Sequence, residues 1–181
     1  MRHRIVVIGT SETARAVALL LVARDDSHLL LTGEDGGALQ AAAVALAAEA
    51  RVAGPVPAHE LTAADVVVVC EGQPPPAEDL RIRCPDTVLI VATADVAADA
   101  RALQDELRWP RQRVIGIGAG AATGPSTRRA AAAAQLVDHV LADRDRTVEV
   151  TVQTTAQGGE GSWGSVPARI GARGIQAFDE G

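Results

Sequence analysis

Aromatic side chains are almost missing: the 181 residues hold two Trp, one Phe and no Tyr, against 48% hydrophobic residues overall. The core must therefore be built from aliphatic side chains and alanine, and alanine-rich helices lie close to a sheet. There are only two cysteines, Cys70 and Cys84, on different predicted elements. They read as reduced thiols rather than a disulfide frame, which points to a cytoplasmic protein. No apolar run is long enough to span a bilayer, so a membrane is not expected as a partner. The basic start, Met1-Arg-His-Arg4, leads into strand-like residues and a glycine turn, not into the apolar stretch of a signal peptide. A net charge of −6 with no basic stripe argues against nucleic acid. No CxxC and no histidine pair on one face is present, so no metal site is expected.

What is present is an alternation of apolar runs and helical patterns. Residues 5–9 read as a strand that enters a turn and then a helix over 13–24. Strands are expected at 28–32, within 51–57, and at 66–70, 88–92 and 113–117. Helices are expected at 38–50, 96–107 and 126–141, the second capped by Thr93 or Asp95. Residues 71–76 read as a rigid proline loop and 118–125 as a Gly/Ala loop. Four valines and a cysteine at 66–70 have the character of a strand covered on both faces. The natural fold is α/β: a doubly wound parallel sheet, Rossmann-like, in the order 3-2-1-4-5-6, with 66–70 beside 5–9. After residue 145 the pattern changes to period-two alternation over 147–155, a loop at 156–164 and β segments at 166–170 and 174–178. The expected organisation is a Rossmann-like domain over 1–145 and a short β-rich appendage over 146–181, too small to stand alone. The segment 166–170 pairs either with the strand before it or with the one after.

Three stretches carry a resemblance. Ala63-Ala-Asp-Val-Val-Val-Val-Cys-Glu-Gly72, Cys84-Pro-Asp-Thr-Val-Leu-Ile-Val-Ala-Thr93 and above all Trp109-Pro-Arg-Gln-Arg-Val-Ile-Gly-Ile-Gly118 resemble successive strands of the lactate/malate dehydrogenase family. Order and spacing agree from residue 4 to about 141. The resemblance implies NAD or NADP in a crevice at the strand ends, an oxidoreductase ancestry and a homodimer. The residues that would then line the cofactor site are Gly9, Thr10, Ser11, Glu12, Thr13, Gly33, Glu34, Cys70, Glu71, Gly72 and Thr93.

The departures bear on function. Of the fingerprint glycines that let backbone approach a pyrophosphate, only Gly9 remains; the other two positions fall on Ser11 and Ala14. Ser11 puts a side chain where the phosphate would approach. The acid expected at the ribose falls on Gly33, with Glu34 and Asp35 just after it. The family's Asn falls on Ala94, and its mobile loop with a substrate-binding Arg has no counterpart, since prolines 74–76 lead almost at once into the next strand. Its Asp-x-x-Arg is absent, although Arg128 and Arg129 lie nearby, and its catalytic His is replaced within Gln157-Gly-Gly-Glu-Gly161. Most of the C-terminal catalytic domain is missing. Hydride transfer to a keto acid needs a proton donor and a cation for the carboxylate. His3 and His28 start strands on the side opposite the crevice and His139 is expected on a helix surface, with Asp138 and Asp143 on the same helix's solvated side. His59, Cys70 and Glu71 remain as unconventional candidates beside Asp95. Lactate or malate dehydrogenase activity is not expected, and no catalytic residue can be named. Three functions stay open: an NAD(P)-binding oxidoreductase with other catalytic residues, a non-catalytic ligand-binding or interaction protein, and a non-redox enzyme reusing the crevice. The alanine-rich helix at 38–50, with Ala42 and Ala45, is the expected dimer surface.

Overall fold

The computed structural model describes residues 3–24, 26–33, 37, 63–71, 77–154 and 161–178. Its centre is a pair of parallel strands, β1 (His3–Ile8) and β3 (Val66–Val69), in register from Ile5 opposite Val66 to Ile8 opposite Val69. All eight of those residues are buried. Neither run has a polar side to turn to water, so both are stable only with helices on both faces. Around them lie β2 (Ser27–Thr32), β4 (Val88–Val91) and β5 (Val114–Ile117), all parallel. The tail adds β6 (Arg146–Thr154), β7 (Ser162–Gly171) and β8 (Gly174–Phe178), all antiparallel. The described sheet runs β2-β1-β3-β4-β5-β6-β7-β8. The doubly wound α/β expectation holds, as does the neighbouring of 5–9 and 66–70. The strand within 51–57, the helix at 38–50, His59 and the loop at 72–76 lie outside the described residues.

Helices α1 (Glu12–Val22), α2 (Ala77–Arg83), α3 (Val96–Leu107), the one-turn α4 (Ala119–Ala122) and α5 (Ser126–Leu141) cover the sheet. α1 packs on α5 and α2 on α3. The buried stripe of α5 includes Ala130, Ala133, Ala134 and Val137, small side chains that bring the helix close to the strands. Gly116 in β5 serves the same end. A Cβ there would stand 2.6 Å from a methyl of Val96 at the start of α3 and 2.9 Å from Thr151 Cβ, so this crossing needs a glycine.

Five readings are corrected. Residues 77–83 form α2, where the sequence suggested only a loop running into the next strand. Leu80 is buried and acids open the helix while Arg81 and Arg83 close it, but seven residues after a proline run give too short a period to notice. The Gly/Ala loop contains α4. β7 pairs with both β6 and β8, so the two hairpin alternatives are both realised. Asp138 is ion-paired with Arg24 instead of being simply solvated. His139 is buried, because the apolar stripe of α5 widens in its last turn to take in Leu136, Val137, His139 and Val140. No described helix is long and apolar enough to cross a membrane.

Neither ring nitrogen of His139 has a hydrogen-bond partner. Burial, helped by the guanidiniums of Arg144 and Arg146 and opposed by Asp138, pushes its pKa below the ordinary histidine value. The unfolded chain then binds the proton more readily than the native one, so this site's contribution is complete above about pH 6.5 and is lost as pH falls through the lower native value. Urea midpoints at pH 7.5 and 5.5 should drop more for the native sequence than for His139→Gln; equal drops would show that His139 does not titrate as described.

Candidate functional site

The site starts at the end of β1. Gly9 has φ of +131°, a conformation side chains disfavour, and turns the chain into α1. Its N–H donates to Thr32 O (2.8 Å), while Cys70 N donates to Ile8 O (2.9 Å), so the ends of three strands are aligned. Gly33 abuts the turn: a Cβ on it would lie 3.1 Å from Thr10 Cγ2. Ser11 is the N-cap of α1, its Oγ accepting from Ala14 N at 3.2 Å. Its hydroxyl thus satisfies one of the helix's own open donors. Glu12 is exposed in the first turn.

Glu71 follows β3 and reaches across to the turn. Its Oε1 accepts the backbone N–H of Thr10. It can come this close because Gly9 has no side chain: a Cβ there would fall 2.9 Å from Glu71 Cγ. Buried Thr13 accepts from Nε and Nη2 of Arg129 (3.3 and 3.2 Å), whose Nη1 donates to Gly124 O (2.8 Å).

These groups open onto a cleft of about 880 Å³. Ser11, Thr13, Cys70, Glu71 and Thr93 of the expected set line it; Gly9, Thr10, Glu12 and Gly33 do not, and Glu34 and Gly72 lie outside the described residues. Asp95, Asp99 and Glu106 of the α3 wall also line it, with Arg129 on the other side. Asp99 and Glu106 were missed. They follow Asp95 at spacings of four and eleven, so counting one helical face would have found them. Asp95 stands at the N-cap of α3 without a side-chain cap bond, and Thr93 Oγ1 is buried without a partner, so neither residue caps as expected. The described lining carries four carboxylates against one guanidinium.

Cys70 is buried at the floor. Its thiol is pushed up to about 12, first by burial and then by the nearby Glu71 carboxylate, with Arg129 opposing. Burial also raises Cys84. Neither is a thiolate nucleophile at neutral pH. His3, His28 and His139 lie away from the cleft: His3 is 3.7 Å from Asp65 at the start of the strands, and His28 is exposed near the start of β2. No group of His, Cys, Asp and Glu able to hold a metal occurs among the described residues.

No family model and no curated protein matches the chain. Solved structures do. The malate dehydrogenase of Aeropyrum pernix superposes with a TM-score of 0.84 at 17% identity, covering 97% of this chain and 90% of that one. The malate dehydrogenase of Cryptosporidium parvum gives 0.85 at 16% identity, covering 99% and 91%. The lactate dehydrogenase of the same organism, complexed with lactic acid and β-nicotinamide adenine dinucleotide, gives 0.84 at 15%, covering 99% and 90%. This chain has the malate/lactate dehydrogenase fold.

The groups that a dinucleotide's phosphates would meet at the glycine turn are already engaged. The Thr10 amide at the glycine turn already holds a carboxylate, Ser11 is engaged as a cap, and the facing helix is acidic. Raising a thiol pKa from 9.0 to about 12 lowers its thiolate fraction about 10³-fold, so iodoacetamide at pH 8 should label Cys70 slowly in the native protein and readily in urea. Rapid native labelling of Cys70, read by peptide mass, would contradict the buried thiol.

Proposed function

We propose that this chain is a non-catalytic ligand-binding protein on the malate/lactate dehydrogenase fold. In this reading the crevice takes a nicotinamide dinucleotide, NAD or NADP, weakly, and turns over neither lactate nor malate. One observation carries it. The cleft lies at the carboxyl ends of β1, β3 and β4, where the strand order diverges on either side of β1 and α/β folds bind ligands, yet its described lining has no imidazole. Its guanidinium, Arg129, is engaged by Thr13 and Gly124. An oxidoreductase with other catalytic residues has less support: Cys70 is a protonated thiol, Glu71 is bonded to the turn, and His59 lies outside the described residues. A non-redox enzyme would face the same shortage of reactive groups. A cytoplasmic location is part of the proposal.

General acid catalysis alone is worth about 10²–10⁴-fold. With NADH or NADPH, pyruvate and oxaloacetate should therefore show no turnover in the usual enzymatic range of roughly 1–10³ s⁻¹. Thermal shifts with the four nicotinamide dinucleotides should be small and appear only at high concentration, since stabilisation grows as RT ln(1 + [L]/Kd). Ordinary turnover, or a large shift at micromolar ligand, would overturn the reading.

The homodimer belongs to the proposal too. Its expected surface at 38–50 lies outside the described residues, but Leu19 and Leu20 on α1 are half exposed and Ile82 on α2 more so, leaving apolar surface to cover. Light scattering at micromolar concentration should give twice the mass of one chain, and a monomer would end the idea.

A further inference from the structure

The geometry points to Glu71 as a built-in anion that occupies the phosphate-binding amide of the β1–α1 turn and so makes the cleft select against diphosphate ligands. Backbone N–H groups where a glycine turn enters a helix attract anions, because the donors are unpaired and the helix dipole adds positive potential. Here that position is filled from within the chain. Glu71 Oε1 accepts the Thr10 N–H, and Ser11 Oγ accepts that of Ala14. The room that Gly9 leaves by lacking a side chain is taken up by Glu71, whose Cγ stands 2.9 Å from where a Cβ would be.

Its placement follows from the sheet. Ile8 pairs with Val69 and Cys70 N bonds to Ile8 O, so the second residue beyond β3 is delivered to the turn beyond β1. A diphosphate would have to displace this carboxylate into a cleft already lined by Asp95, Asp99 and Glu106. Bonds of an amide to a charged acceptor correspond to roughly 10- to 100-fold in affinity, before the added repulsion.

For NAD(P) the inference rests on the ligand class proposed above, so two probes separate them. Inorganic pyrophosphate tests the turn alone and NADH tests the ligand reading, each by calorimetric titration of the native chain, Glu71→Ala and Glu71→Gln. Glu71→Gln keeps the size of the side chain and one acceptor oxygen, so the test survives if Glu71→Ala fails to fold. Loss of the carboxylate should tighten pyrophosphate about 10- to 100-fold, with Gln between the native residue and Ala. The Thr10 amide resonance should shift on adding pyrophosphate to either variant and not to the native chain. If pyrophosphate tightens but no form binds NADH, the role of Glu71 stands and the dinucleotide reading falls. If NADH binds the native chain and neither variant changes NADH or pyrophosphate affinity, the dinucleotide reading stands and the role of Glu71 is overturned.

Discussion

The register of β1 against β3 is the constraint on which the rest depends. Eight buried aliphatic residues, Ile5 to Ile8 and Val66 to Val69, meet as four parallel pairs with no polar side chain among them. Fully burying one such side chain is worth about 1.5–3 kcal/mol, and the pairing is bracketed at its ends by the bonds from Asp65 N to Arg4 O and from Cys70 N to Ile8 O (both 2.9 Å). Because the register is held this firmly, the residues just beyond each strand are held as well. Gly9, Thr10, Cys70 and Glu71 meet at one point because the strands behind them cannot slide.

That convergence makes the crevice and also fills it. In α/β folds the same corner serves anions because backbone donors gather there. In this chain an acid arrives from the neighbouring strand and meets the donor first. The α3 wall adds Asp95, Asp99 and Glu106, so carboxylates outnumber guanidiniums in the described lining of the cleft. One fold can thus carry different electrostatics, since a few side chains at loop positions set the sign.

Much of the fold was legible in the sequence because the strong signals are local. The helix at Val96–Leu107 and the helix at Ser126–Leu141 were placed to the residue, as long periodic segments allow. The valine run announced a covered strand by its composition alone. Helix α2 was lost because seven residues beside a proline run hold barely two turns, too few for a period. His139 was misread because the width of a buried stripe depends on what packs over the helix end. Ser11 was expected to obstruct a phosphate; it caps its own helix, an option any serine before a helix has. The role of Glu71 was out of reach. Its partner is 61 residues away, and only the paired strands show that the two meet.

The bond between Arg129 and Thr13 spans 116 positions and ties the start of α1 to the start of α5. During synthesis this has a consequence in time. Once β2 has emerged, β1 has a neighbour on one edge, but β3 and α5, which cover its other edge and α1, are still unmade. At roughly 5–20 residues per second, the stretch from Thr32 to Arg129 takes on the order of 5–20 s to add. β3 closes the open edge of β1 part-way through that interval, but α1 waits to its end for α5, so one of the earliest helices is the one that waits longest for shelter.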